Sequence, residues 1–267
     1  MLTEAKRVTK FVLQYFSANL QSAMEYRGAF LSQIIFMFVN NIMLLFFWWV
    51  LFSKIESLNG WSFQHIMRLY AIASGAYAVK AILFGGSFSL SSTIAEGGLD
   101  FYLALPKPVL LHVLVSRSFA SAWGDLVFGL AIFLLTVSPS IGMLLAFVIL
   151  ILAGGLVMTS FAVIAHSLSF WVGYGARLAD ELTEALLTFS LYPEGIFSAV
   201  TRWVLYTLIP AGFVSYLPVR IMDEFSWPYV GLLGFFVLGI VLVARFIFYR
   251  GLKRYESGNL VVTNAAG

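Results

Sequence analysis

The chain has 267 residues, of which 61% are hydrophobic and 11% charged, with a net charge of +3 and a mean hydropathy of +0.92. Soluble domains carry about 25% charged residues, so a soluble globular protein is excluded and an integral membrane protein is indicated. The absence of cysteine excludes disulfides and thiolate metal sites. The small net charge, with basic residues at the ends of apolar stretches, argues against nucleic acid as a partner.

Residues 2–26 are predicted to form an amphipathic helix that lies on the membrane surface. One face of this helix is apolar and the opposite face is polar and basic. The apolar face contains Val8, Phe11, Val12, Tyr15 and Phe16. A helical leader surrounded by solvent is the alternative interpretation.

Six apolar stretches follow, and each is predicted to cross the membrane. Their approximate bounds are 28–52, 63–90, 111–137, 141–171, 178–192 and 228–249. The predicted fold class is therefore an all-α membrane protein with six transmembrane helices.

The stretch 92–108, between the second and third predicted spans, carries charges, glycines and prolines. Gly97 and Gly98 end the preceding helix, and Asp100 suits the positive N-terminal end of a new one. Pro106 disfavours helix at the residue before it and closes the element. The pattern predicts a helix of about two turns that a partner outside the membrane could grip. An ordinary loop between two spans is the alternative.

Residues 196–209 and 212–217 are apolar but shorter than the roughly 20 residues that cross a bilayer. Pro210 and Pro218 interrupt them. The pattern predicts a re-entrant pair over 196–217 that dips into one leaflet and is covered by other helices. A single span kinked at Pro210 is the alternative.

Basic residues near the ends of the spans predict the orientation of the chain. With a cytoplasmic N-terminus, ten of them lie inside, namely Lys6, Arg7, Lys10, Arg27, Lys107, Arg117, Arg177, Arg250, Lys253 and Arg254. Three lie outside, namely Lys54, Arg202 and Arg220. Both termini and the stretch 92–108 are therefore predicted to be cytoplasmic.

The sequence contains no motif for ATP hydrolysis, zinc binding or serine catalysis. The patterns G-x-x-x-x-G-K-[ST], H-E-x-x-H and G-x-S-x-G are all absent. His65, His112 and His166 lie far apart and show no ligand spacing, so each is given a structural role. We expect neither a catalytic residue nor a bound metal.

Lys80 and Asp125 are charged residues inside predicted spans, where a charge needs a partner. Counted along the antiparallel second and third spans, the two lie at a similar depth. The pattern predicts a structural ion pair between them. A proton- or substrate-linked role is the alternative.

The whole chain resembles the permease subunit of ABC type-2 (type V) exporters, which export drugs, polysaccharides and lipids. Within that class it is similar to the bacterial ABC-2 family transporter protein group. Four motifs in order carry the resemblance: IAEGGLDFYL at 94–103, YPEGIF at 192–197, IPAGF at 209–213, and the tail 251–259.

The resemblance implies a single transmembrane permease domain over 1–267, with a role for each unusual segment. Segment 1–26 would be an interfacial helix, 94–106 a coupling helix that docks an ABC ATPase, and 196–217 an outer re-entrant gate. The docking residues would be Glu96, Asp100, Phe101, Tyr102, Leu105 and Lys107, with the acidic residues between Asp180 and Glu184 as a further contact. The outer gate would contain Tyr192, Pro193, Phe197, Pro210 and Phe213.

The resemblance also implies an assembly in the bacterial plasma membrane, in contact with lipid. Two ABC ATPase subunits would join two permeases, the second permease being either another copy or a paralogue. ATP and Mg²⁺ would be bound by the ATPases, and this chain would bind no cofactor. The apolar, aromatic spans favour an amphipathic substrate, either drug-like or containing lipid or glycan, exported from the cytoplasm or the inner leaflet.

Two other function classes remain compatible with the residues. An ion-coupled secondary transporter would use Lys80, Asp125 or His166 as a proton relay, although no internal repeat typical of many such carriers is visible. A membrane-embedded scaffold without transport activity is the other. An ABC ATPase gene beside this one would favour the exporter.

Overall fold

The computed structural model describes residues 2–137, 140–172 and 175–256, and the regular elements in those ranges are helical. The first half contains α1 (Leu2–Met24), α2 (Arg27–Phe52), α3 (Phe63–Leu83), α4 (Leu90–Ala95), α5 (Leu99–Leu103), α6 (Val109–Val115) and α7 (Ala122–Thr136). The second half contains α8 (Ile141–Ser167), α9 (Ser169–Val172), α10 (Ala176–Ser190), α11 (Ala199–Thr207), α12 (Leu217–Asp223) and α13 (Trp227–Leu252). The all-helical class agrees with the sequence, and the predicted tail beyond residue 256 lies outside the described residues.

Four described helices are long and apolar enough to cross a membrane: α2, α3, α8 together with α9, and α13. A bent pair formed by α11 and α12 would make a fifth. The six predicted spans are not confirmed, because α7 and α10 have only 15 residues each. Such a helix measures about 22 Å, against about 30 Å of hydrocarbon. The predicted third span, 111–137, is interrupted by the polar residues between α6 and α7.

The predicted second span, 63–90, ends early because the chain turns at Gly85–Ser89 to meet α6. A Cβ atom at Gly86 would collide with the backbone carbonyl of Val113, and one at Gly85 would lie 2.6 Å from the carbonyl oxygen of Arg117. Only glycine lets two backbones approach this closely. The contact directs the chain out of α3 and into α4.

Helix α3 is the central helix of the molecule. Its apolar segment is 78% buried, compared with 17% for α2 and 11% for α13, so α2 and α13 present most of their surface outward. A Cβ at Gly129 of α7 would lie 2.7 Å from the carbonyl oxygen of Ala71, and one at Gly154 of α8 would lie 2.8 Å from Cβ of Ala76. Small residues of this kind allow membrane helices to pack closely.

The segment containing α11 and α12, which we call the bent pair, turns by 81° between Thr207 and Gly212. A π-helical turn, Gly212–Tyr216, leads into α12. The predicted interruption at Pro218 is wrong, because α12 continues to Asp223. Pro218 lies in the first turn of α12, where its missing N–H breaks no helical hydrogen bond.

Candidate functional site

The segment 90–115, which we call the connector, comprises α4, α5 and α6 and the turns between them. Gly97 has φ +76°, a left-handed conformation that favours glycine and turns the chain between α4 and α5. Helix α5 has five residues, with Asp100 in its first turn, and is shorter than the predicted two turns. The amide of Lys107 donates to the carbonyl of Leu105 (2.8 Å), so the residues before Pro108 form a turn and not a continuation of the helix.

The inner side of the connector is an apolar anchor. Leu99 is 0% exposed and packs in one buried cluster with Ile94, Val109, Val113 and Phe248. Because Phe248 belongs to α13, this cluster fixes α5 against the end of that helix. Burying side chains of this size stabilises the arrangement by about 1.5–3 kcal/mol each.

The outer side of the connector is open. Phe101 and Leu103 are 64% and 46% exposed. Five of the six predicted docking residues are exposed, namely Glu96, Asp100, Phe101, Leu105 and Lys107. Large apolar side chains beside charges, on a helix held from behind, are typical of a protein-binding surface.

Tyr102 differs from the other predicted docking residues because it is half-buried. Its hydroxyl donates to Oγ of Ser116 (3.2 Å), and its ring lies edge-on to the ring of His112, 5.0 Å between centroids. Tyr102 therefore mainly holds α5 against α6, and contributes less to the surface that a partner could bind.

His112 joins the connector to α1. It is 2% exposed, its Nε2 lies 2.6 Å from the hydroxyl of Tyr15, and the amide of Asn19 donates to the carbonyl of Val115 (3.1 Å). Burial, and secondly the charge of Lys107, lower the pKa of His112, which favours the neutral ring. The contact spans 97 residues, and no local spacing pattern indicates it.

The end of α13 also meets the connector. Burial, and secondly the neighbouring carboxylate of Asp100, raise the pKa of Tyr255 to about 12. A Cβ at Gly97 would lie 3.8 Å from the Tyr255 hydroxyl. The residues following α13 thus cover the inner side of the turn that precedes α5.

A polar cluster lies where α4, α8 and α10 meet. Oγ of Ser91 is 2.7 Å from Nδ1 of His166, and Nε2 of His166 is 3.8 Å from a carboxylate oxygen of Asp180. Lys80 lines a cavity of about 140 Å³ together with Asp180 and Glu184. The acidic residues of α10 therefore balance Lys80 and His166.

The structure does not bring Lys80 and Asp125 together as the predicted ion pair. Within the described ranges no ion pair joins them: Nζ of Lys80 lies 4.0 Å over the ring of Phe88, and Asp125 accepts a hydrogen bond from Asn41 of α2 (2.7 Å). Counting residues along two helices gives the depth of each side chain but not the direction in which it points. The two charges share a depth and face different neighbours.

The predicted outer-gate residues fall into two groups. The ring of Tyr192 packs against Trp48 of α2 (5.8 Å between centroids), whereas the ring of Phe213 stacks on Phe236 of α13 (3.6 Å). The others are Pro193 and Pro210, which are buried, and Phe197, which is half-buried. Tyr192 thus contacts α2 before the bent pair begins, and Phe213 contacts α13 from the π-helical turn within the bent pair.

Glu194 connects the two arms of the bent pair, a role that the sequence analysis missed. This buried carboxylate accepts a hydrogen bond from the hydroxyl of Tyr206 (2.9 Å) and forms an ion pair with Arg220. The hydroxyl of Tyr216 donates to the carbonyl of Phe189 (2.6 Å). An acid in an otherwise apolar stretch was the signal that could have indicated it.

Residues 38–258 match the family model described as ABC-2 family transporter protein. The matched range includes the connector, the polar cluster and the bent pair, and leaves out α1. No curated protein and no solved structure matches the chain.

Proposed function

Because the chain belongs to the ABC-2 transporter family, and is thus the membrane permease of an ABC transporter, we propose that it is the permease of an ATP-driven exporter. The sequence has no P-loop, and permeases of this family normally work with an ABC ATPase. ATP and Mg²⁺ would accordingly be bound by that partner.

The observation that carries this proposal is the two-sided connector. Its inner side is packed around Leu99, while Phe101 and Leu103 are exposed on its outer side and the carboxylate of Glu96 is exposed as well. Because α5 is packed on its inner side, a partner that binds the outer side would move α5 together with the helices behind it. We assign the outer side as the docking surface of the ATPase.

The anchor supplies a route for that movement into the membrane helices. ATP binding would close the two ATPases and displace α5, and the cluster around Leu99 would pass the displacement to α13. Tyr102 and His112 would carry it to α1, and the contact between Ser91 and His166 would carry it to α8. The shift requires contacts that differ between the two states, and the docking surface is where such contacts form.

The orientation and assembly belong to the same proposal. The excess of basic residues on one side of the predicted spans supports a cytoplasmic connector and cytoplasmic termini in a bacterial plasma membrane. The bent pair would then be a re-entrant gate near the outer surface. The outward surfaces of α2 and α13 leave room for lipid and for a second permease, either a copy or a paralogue.

The substrate class rests on the composition of the spans. Aromatic and apolar side chains dominate the outward surfaces of α2 and α13, which suits an amphipathic cargo. We propose a drug-like, lipid or glycan-lipid molecule that leaves from the cytoplasm or the inner leaflet.

Co-purification tests the docking assignment. The tagged chain is extracted in mild detergent from its native cells, and its bound partners are identified by mass. We expect an ABC ATPase with the wild type and at least a tenfold lower ATPase recovery with the double change Glu96→Lys and Asp100→Lys, since like charges now face the partner.

The matched control is Glu56→Lys with Glu224→Lys, which reverses two exposed acids outside the connector and should leave ATPase recovery unchanged. Equal ATPase recovery with both double variants would show that the connector is not the docking surface. Recovery of a stable chain without any ATPase would favour the ion-coupled carrier instead.

A further inference from the structure

A cavity of about 610 Å³ lies between α6, α8 and α13, beside α1. Most of its wall is apolar, with Leu111, Leu114, Val163 and Val241 among the lining residues. The volume falls within the range of about 300–1,000 Å³ typical of small-molecule sites. An aliphatic chain from the surrounding membrane matches such a wall.

Arg245 gives this cavity a positive charge. It lines the cavity about two turns before the end of α13, and the centre of its guanidinium lies 5.7 Å from the ring of Tyr249. Over the described residues, no carboxylate forms an ion pair with it. An arginine inside a membrane span needs compensation for its charge, and among the described residues the ring of Tyr249 is the group found facing it.

A second cavity differs because the charge in its wall is already paired. About 910 Å³ in volume, it lies between α8 and α13 and is lined by apolar side chains, with Asp223 as the charged residue on its described wall. Asp223 already forms an ion pair with Arg68. This larger cavity therefore has apolar surface with a paired charge, and we expect it to show no preference for an anionic head group.

We propose that the Arg245 cavity binds a phospholipid with an anionic head group from the leaflet next to the connector. The guanidinium presents paired N–H donors that match phosphate oxygens, and one acyl chain lies along the apolar wall. Basic pockets between membrane helices bind anionic lipid head groups in the same way. The identity of that leaflet as cytoplasmic rests on the proposed orientation, whereas the site itself does not.

The position of the cavity suggests what the lipid does. Leu110 and Leu111 of its wall belong to α6, which also carries His112. A bound acyl chain fills the space between α6, α8 and α13 and so braces the connector against the membrane helices.

Native mass spectrometry of the full-length chain, purified in detergent and titrated with phosphatidylglycerol or phosphatidylcholine, tests the site. We expect the wild type to retain phosphatidylglycerol preferentially. Arg245→Gln should weaken this binding about tenfold or more, the effect of losing a charge-assisted contact. Arg245→Lys should bind with intermediate affinity, and Arg250→Gln, at an exposed arginine of the same helix that does not line the cavity, should bind as the wild type.

A second pair of variants tests the cavity without removing a charge. Val241→Trp fills the cavity and should abolish selective retention, whereas Val243→Trp, on the outward surface of the same helix, should not. Equal weakening by Arg245→Gln and Arg250→Gln, or full retention by Val241→Trp, would overturn the proposal. Since the titration needs no ATPase, selective lipid binding without any recovered ATPase would leave the site standing and remove the exporter proposal.

Discussion

At the connector, the carboxylate of Glu96 and the ring of Phe101 are exposed, whereas at the bent pair the carboxylate of Glu194 is buried and bonded to Tyr206 and Arg220. A charge left in water is available to a partner and contributes little to stability. A charge satisfied inside the chain holds two segments together, and those segments separate only when its bonds break. Under the proposed function, a partner would bind the exposed side of the connector, whereas the bent pair would open only when the bonds of Glu194 break.

Gly86→Ala should have the largest effect on the connector. The new Cβ would collide with the backbone carbonyl of Val113, so either the turn at Gly85–Ser89 or α6 must move, and overpacking of this kind costs about 3 kcal/mol. We expect a clearly lower midpoint of thermal unfolding in detergent, or no folded protein. Gly239→Ala is the control, because a Cβ at Gly239 meets nothing within 4 Å. Equal unfolding midpoints for both variants would show that the backbone around Gly86 accommodates the added Cβ without loss of stability.

Removing one charge from the connector and one from the bent pair distinguishes an exposed charge from one that stabilises the fold. Glu194→Gln keeps the size of the side chain but weakens the contacts to Arg220 and Tyr206, and should lower the free energy of unfolding by about 2 kcal/mol. Glu96→Gln, on the exposed side of the connector, should change it by less than about 0.5 kcal/mol. Thermal unfolding of both variants measures the difference. A larger loss for Glu96→Gln would reverse the comparison.

The smallest expected effect is a dependence of stability on pH through His112. The pKa of His112 is lowered in the folded chain, by burial first and by Lys107 second. Between this lowered pKa and the ordinary pKa of histidine, the unfolded chain therefore binds more protons than the folded chain. The contribution to stability is therefore complete above the ordinary value of 6.5 and is lost as the pH falls towards the folded pKa. The unfolding midpoint of the wild type should drop between about pH 7.5 and pH 5.5.

The matched variant for this effect is His112→Gln, which does not titrate in that range. Its unfolding midpoint should show a shallower fall with pH than that of the wild type. Identical slopes for the two proteins would assign the pH dependence to other groups.

Local chemistry predicted the features that depend on one residue and its neighbours in sequence. The charged interruption at 92–108, the turn at Gly97 and the bend near Pro210 all follow from residues that break helices. The polar and apolar faces of α1 follow from helical periodicity, and Val8, Phe11 and Tyr15 are half-buried while Arg7 and Lys10 are exposed.

Features that depend on distant neighbours could not be predicted. The end of α3 is set by contact between Gly86 and Val113, whereas hydropathy alone extended the predicted second span to residue 90. Lys80 and Asp125 share a depth, but helix packing decides which way each points. The contacts of His112 and Glu194 arise between segments that only the fold brings together.

Cross-linking in membranes tests the central claim most directly. Because the chain has no cysteine, the single substitutions Phe101→Cys in the connector and Trp203→Cys in α11 each introduce one thiol at an equally exposed position, 64% and 65%. With a photoactivated thiol-specific reagent, Phe101→Cys should cross-link to an ABC ATPase, and Trp203→Cys should not. A cross-link to the ATPase from Trp203→Cys, or none from Phe101→Cys in membranes that contain the ATPase, would contradict the assignment of the connector as the docking surface.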